Sequence, residues 1–166
     1  MTVIAGWHDA KQAWIGGDSG AFDESANSVV LTETKVWKTD GYLLGAFGAA
    51  GGFRLAEIAY ESEIGDPHKL RDHLESWWRD STANEENDTQ FLVLSTNGVW
   101  IIDSDFAVIR CREHYGAIGA GSMSALSALF ALEGVAVNGK TRITTALKAT
   151  AYHNFLVRPP FKIVNL

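Results

Sequence analysis

The sequence predicts a layered α+β sandwich, and two observations carry that prediction. Strand-like stretches joined by short turn signals form two β-rich runs. Each run is followed by two helical patterns, and a last strand closes the chain. At 166 residues the chain is expected to be one domain with a sizeable core.

The elements follow in order. Residues 2–7 and 12–18 are apolar or alternating, with the polar His8 to Lys11 between them, and read as a hairpin-like pair of strands. Gly16, Gly17 and Gly20 then bend the chain, and the polar stretch 21–32 reads as an extended surface excursion. TKVWK (34–38) is a short strand, Asp40-Gly41 a turn, and YLLGAFG (42–48) a buried strand ending in glycine. Phe53, Leu55, Ala56, Ile58, Ala59 and Tyr60 mark one face of a first helix. Asp66-Pro67 opens a second, with the aspartate as cap and the proline at the first helical position. Its apolar residues are Leu70, Leu74, Trp77 and Trp78.

After the polar loop 81–89 come QFLVLS (90–95), a turn at Asn97-Gly98, and VWII (99–102), the clearest hairpin in the chain. FAVIRCR (106–112) and YGAIG (115–119) extend the sheet. A third helix is expected over 122–134, ending near Gly134. A fourth, capped by Thr141, is expected to reach about Asn154. Pro159 and Pro160 break the chain before a last strand at 161–166.

Composition removes several classes of function. A net charge of -6 lacks the basic face that nucleic acid or an anionic membrane requires. No apolar run reaches the length of a membrane span, and the opening lacks the pattern of a signal peptide. The lone Cys111 excludes an internal disulfide and reads as a small buried hydrophobe, with a reducing cytoplasm as the expected compartment. His8, His68, His73, His114 and His153 are scattered, and the five-residue spacing of His68 and His73 turns them to different helix faces, so no metal is expected. GAFGAAGG (45–52) lacks the Gly-Lys-Ser/Thr ending of a phosphate loop. GAGS (119–122) lacks the spacing of a serine elbow.

Thr2 is different. A threonine hydroxyl is a poor nucleophile until a base activates it. A threonine at the N-terminus carries its own base, an α-amine with a reference pKa of about 7.7–8.0. Removal of Met1 would expose it, and a small second residue permits that removal.

Thr2, Asp18 in IGGDSG, Lys35 in TKVWK, Gly48 at a strand-to-helix junction and the late YGAIGAGSMSAL helix start occur in one order and spacing. This set resembles the N-terminal-nucleophile (Ntn) hydrolases, and more closely the proteasome β-subunits and their bacterial HslV-type relatives. The resemblance runs over nearly the whole chain. It implies a four-layer αββα sandwich, two antiparallel sheets between helix layers. It implies a threonine endopeptidase that works through an acyl-enzyme ester, without metal or organic cofactor. In this pattern Thr2 is the nucleophile and Asp18 supports Lys35. The charge of Lys35 lowers the proton affinity of the threonine centre, and Gly48 offers its N–H to the oxyanion. Ala21, Ala46 and Ala50 would line the pocket for the residue before the cut. The implied assembly is a closed ring of identical subunits acting on peptide or unfolded protein, with Trp7, Trp37, Trp77 and Trp78 as candidate contacts. No ATP-binding motif is visible, so energy-driven unfolding would require a separate ATP-dependent unfoldase.

Elementary chemistry agrees. A buried lysine needs an acidic partner, its charge depresses a neighbouring amine, and a glycine lets a backbone N–H approach a substrate.

The sequence departs from the family pattern in two places. The family's serine in the glycine motif is matched by Ala120, with Ser122 two residues on. The aspartate near the end of the last helix, and the hydroxyl residue three positions later, are matched by Asn154 and Val157. Asn154 can donate and accept hydrogen bonds but brings no charge. These departures motivate a competing reading, an inactive ring-forming structural homologue; a second rival is an Ntn amidase acting on a small amide.

Overall fold

The computed structural model describes residues 2–22, 28–30, 34–48, 50–81 and 87–166. Met1, most of the expected 21–32 excursion and much of the 81–89 loop lie outside the described residues, as do the side chains of Ala50 and Phe53. Strand β1 (Ile4–His8) pairs antiparallel with β2 (Ala13–Gly17). Asp9 closes their turn, its Oδ1 accepting the Lys11 and Gln12 N–H groups at 2.7 and 2.9 Å. Next come β3 (Gly20–Phe22) and β4 (Ser28–Val30), a separate two-stranded ribbon. The chain continues through β5 (Val36–Lys38), β6 (Leu43–Phe47), α1 (Ala50–Glu61) and α2 (Pro67–Ser81). The second half holds β7 (Gln90–Ser95), β8 (Gly98–Ile102), β9 (Val108–Arg110), β10 (Tyr115–Ile118), α3 (Ser122–Ala131), α4 (Gly139–His153) and β11 (Lys162–Asn165).

Two larger antiparallel sheets result, ordered β10-β1-β2-β11 and β5-β6-β7-β8-β9. Strand alternation sorts their side chains into three apolar clusters. Ile4, Ile15, Val36, Leu43, Leu92 and Leu94 meet between the two sheets. The intervening residues of β6 and β7, Leu44, Phe91 and Val93, face outward onto Leu55, Leu70 and Leu74 of α1 and α2. Val3 and Ala5 of the other sheet face Leu129, Ile143 and Leu147 of α3 and α4. The layers are therefore helix pair, sheet, sheet, helix pair. Each fully buried Leu or Ile stabilises this stack by roughly 1.5–3 kcal/mol relative to exposure.

Several local expectations are corrected by packing. The β7–β8 loop is Thr96-Asn97, and Gly98 pairs with Ser95. That register sets Leu94 opposite Val99, both facing the inter-sheet cluster. A one-residue slip would turn both away from it. The expected 106–112 strand begins only at Val108, because Phe106 turns with φ 63° and buries its ring in the α1/α2 cluster. Helix α3 stops at Ala131, and Arg142 of α4 donates to the carbonyls of Leu132 and Val135 beyond it. The cap of α4 is Asn138 rather than Thr141: Asn138 Oδ1 accepts from Thr141 N at 2.8 Å. Asp66 caps α2 as expected, accepting from His68 N and Lys69 N at 3.0 and 2.9 Å. Trp7, Trp37, Trp77 and Trp78 are partly buried and pack on the clusters of their own layers.

Candidate active site

The entrance to β1, the exit of β2 and the entrance to β5 converge on one buried polar centre. Thr2 is 6% exposed, Asp18 2% and Lys35 4%. Lys35 Nζ lies 2.6 Å from Thr2 Oγ1 and 3.1 Å from Asp18 Oδ1, and it also donates to the Gly20 carbonyl. A lysine ammonium has three N–H donors, and here all three have acceptors.

Asp18 is equally saturated. Its Oδ1 accepts from Lys35 and from Val3 N at 3.0 Å. Its Oδ2 accepts from Gly20 N at 2.9 Å and Arg158 N at 3.3 Å. Four donors fill the lone-pair sites of an ionised carboxylate. Burial pushes the Lys35 ammonium below the ordinary lysine value of 10.5, and the charge and hydrogen bond of Asp18 oppose that shift. Because Lys35 donates to Oγ1, a lone pair of the Thr2 hydroxyl is engaged while its proton remains free to leave toward a base.

The Thr2 backbone is held by the turn before α3. Gly121 N donates to the Thr2 carbonyl at 3.3 Å. Gly119 has φ 86°, and a Cβ there would come within 2.4 Å of that carbonyl oxygen. Between the two glycines Ala120 is exposed, and Ser122 begins α3 half-buried.

The other expected site residues are placed as follows. Gly48 stands directly after β6. Ala46 N donates to the Lys35 carbonyl, which extends the ladder to the lysine, but its side chain packs in the α1/α2 cluster. Ala21 lies in β3, half-buried, next to the Gly20 carbonyl that Lys35 uses, and Ala50 is the first residue of α1. Asn154 ends α4, and its Oδ1 accepts from Leu156 N at 3.1 Å. Val157 is buried in the α3/α4 cluster. The turn that Asn154 opens leads to Arg158, whose N–H reaches Asp18.

Sequence reasoning did not find Gly20, Arg158 or Ser19. The first two act through backbone atoms, which no side-chain pattern reveals. Ser19 Oγ donates to the Pro160 carbonyl at 2.6 Å and Ser19 N to the Arg158 carbonyl, tying the last turn to the strand end that carries Asp18.

Among the described residues no group of three or more metal-ligating side chains converges, and no helix is long and apolar enough to cross a membrane.

Comparison with solved structures shows that these layers form the HslV/proteasome β-type Ntn-hydrolase fold. The chain is similar to eukaryotic HslV from Trypanosoma brucei with a TM-score of 0.84 at 19% identity, over 99% of both chains. It is similar to Thiobacillus denitrificans BPH, solved in complex with epoxomicin, with a TM-score of 0.83 at 14% identity, over 99% of this chain and 98% of that one. A Gly-1 mutant of Anbu from Hyphomicrobium sp. strain MC1 follows with a TM-score of 0.74 at 12% identity, over 99% of this chain and 82% of that one. At these identities the likeness establishes the fold. No family model and no curated protein matches the sequence.

Proposed function

We propose that this chain is a threonine endopeptidase of the Ntn type, working in a ring of identical subunits on peptide or unfolded protein. The observation that carries the reading is the 2.6 Å contact of Lys35 Nζ with Thr2 Oγ1 inside a fully paired, buried centre. Removal of Met1 frees the Thr2 amine, whose reference pKa of about 7.7–8.0 lies near neutral pH. The neighbouring Lys35 charge disfavours protonation of that amine. The amine takes the hydroxyl proton through a water, and Oγ1 attacks the scissile carbonyl. The Gly48 N–H donates to the tetrahedral oxyanion, and the amine returns the proton to the leaving nitrogen. Water then hydrolyses the ester, again with the amine as base. Ala21 and Ala50 are the proposed wall for the residue before the cut; Ala46, expected beside them, turns its side chain into the α1/α2 cluster instead. Asn154 is the proposed orienting group for the amine. Energy-driven unfolding falls to a separate ATP-dependent protein.

Two observations favour a second reading, an inactive structural homologue. The Asn154 side chain accepts from Leu156 N, and Ala120 brings no hydroxyl. Intact mass and labelling separate the two. The endopeptidase predicts a chain lacking methionine, an epoxomicin adduct on Thr2, and cleavage of fluorogenic peptides lost in Thr2→Ala. A chain that keeps Met1 and takes no adduct is the structural homologue. Turnover of a small amide without peptide cleavage would instead mark an amidase.

A further inference from the structure

Thr89 is 1% exposed, yet its Oγ1 has no hydrogen-bond partner in the structure. An unpaired buried hydroxyl is a cost that valine, of nearly the same shape, would not carry. Its location gives the cost a purpose. The β6–β7 ladder ends on the pair Phe47–Gln90, so one residue further Gly48 faces Thr89. A Cβ built on Gly48 would lie 2.7 Å from Thr89 Oγ1 and 3.0 Å from its Cα. Thr89 therefore occupies the side-chain space of the residue whose N–H is proposed to meet the oxyanion.

The rest of its strand entrance is pinned. Asn87 Oδ1 accepts from Thr89 N at 3.0 Å, Asn87 Nδ2 donates to the Ser104 carbonyl at 2.8 Å, and Gln90 Nε2 donates to Asp103 Oδ1 at 2.8 Å. With the Thr89 N–H engaged and its neighbours tied to Asp103 and Ser104, the hydroxyl is a polar group of Thr89 left free to engage something that arrives at Gly48.

We propose that Thr89 is a positioning residue for the Gly48 turn. Its hydroxyl acquires its hydrogen bond when substrate, or a water carried in with it, is seated there, and so holds the Gly48 N–H toward the oxyanion. The inference rests on the endopeptidase reading above. The role belongs to the hydroxyl, since the packing would be served by any side chain of that shape.

The experiment compares Thr89→Val and Thr89→Ser in the full chain, with a fluorogenic peptide and with epoxomicin. Thr89→Val is expected to lower kcat about 10- to 100-fold, less than the roughly 100- to 1000-fold cost of losing an oxyanion donor itself because Thr89 acts through Gly48, with KM within about twofold. It should slow Thr2 labelling and melt at or above the wild-type temperature, because no hydrogen bond of the free protein is lost. Thr89→Ser should keep kcat within about threefold of wild type. The proposal is overturned if Thr89→Val keeps full kcat, if Thr89→Ser loses as much as Thr89→Val, or if the valine variant melts well below wild type. A wild-type chain that neither cleaves peptide nor takes the label sinks the endopeptidase reading and this proposal with it. An active wild type with an unaffected valine variant sinks the proposal alone.

Discussion

Two polar regions of this molecule are buried to a similar degree and solved in opposite ways. Around Lys35 and Asp18 all three ammonium donors and all four carboxylate sites are engaged. At Gly48 the facing Thr89 hydroxyl is orphaned. The difference follows from charge. A buried ion left unpaired costs several kcal/mol, whereas an unpaired hydroxyl costs about 1–3 kcal/mol. The fold can tolerate the second and not the first. The charged centre must therefore be complete in the free protein, while the neutral one can wait for a ligand.

The strongest way to break that contrast is to remove one ion. Asp18→Ala strands the Lys35 ammonium and takes the acceptor from three backbone N–H groups. We expect a loss of about 3–5 kcal/mol in urea unfolding and, on the endopeptidase reading that also underlies the activity losses of the next two variants, activity at background. Lys35→Met should abolish activity as fully but cost less stability, because Asp18 keeps its three backbone donors. Equal costs would mean that those backbone bonds contribute nothing. Next in size is Gly48→Ala. Its Cβ meets Thr89 Cα, a backbone atom that cannot swing aside, so a loss of about 1–3 kcal/mol is expected, with a fall in kcat.

Asn154→Asp sharpens the comparison at smaller scale. The carboxylate can still accept from Leu156 N, but a negative charge at the end of α4 opposes the helix dipole. Thermal unfolding should register a loss of no more than about 1 kcal/mol. On the endopeptidase reading, the regained carboxylate should raise kcat.

The smallest effect concerns a second orphan, His8 Nδ1. Burial, reinforced by nearby His114, lowers the His8 pKa below 6.5 despite hydrogen bonds that raise it. The unfolded chain then takes up a proton first as the pH falls through 6.5, so stability declines with acidification below that value. His8→Phe should flatten this acid slope in denaturant titrations, and an unchanged slope would remove His8 as its source.

The chain by itself determined most of the architecture. Alternation at Leu92 to Leu94, helical spacing at Leu70 and Leu74, and the Asp66-Pro67 start are local signals, set by the geometry of strand and helix. It also held Thr2, Asp18 and Lys35 as chemically suitable residues, though distant along the chain. Only the tertiary structure decided that the three touch. It alone put Thr89 against Gly48 and the Gly20 carbonyl and Arg158 N–H onto the charged pair. It also moved the β7–β8 turn by one residue and stopped α3 at Ala131. The physical reason is that backbone donors and close approaches are created by packing two sheets face to face, and packing leaves no mark in the order of side chains.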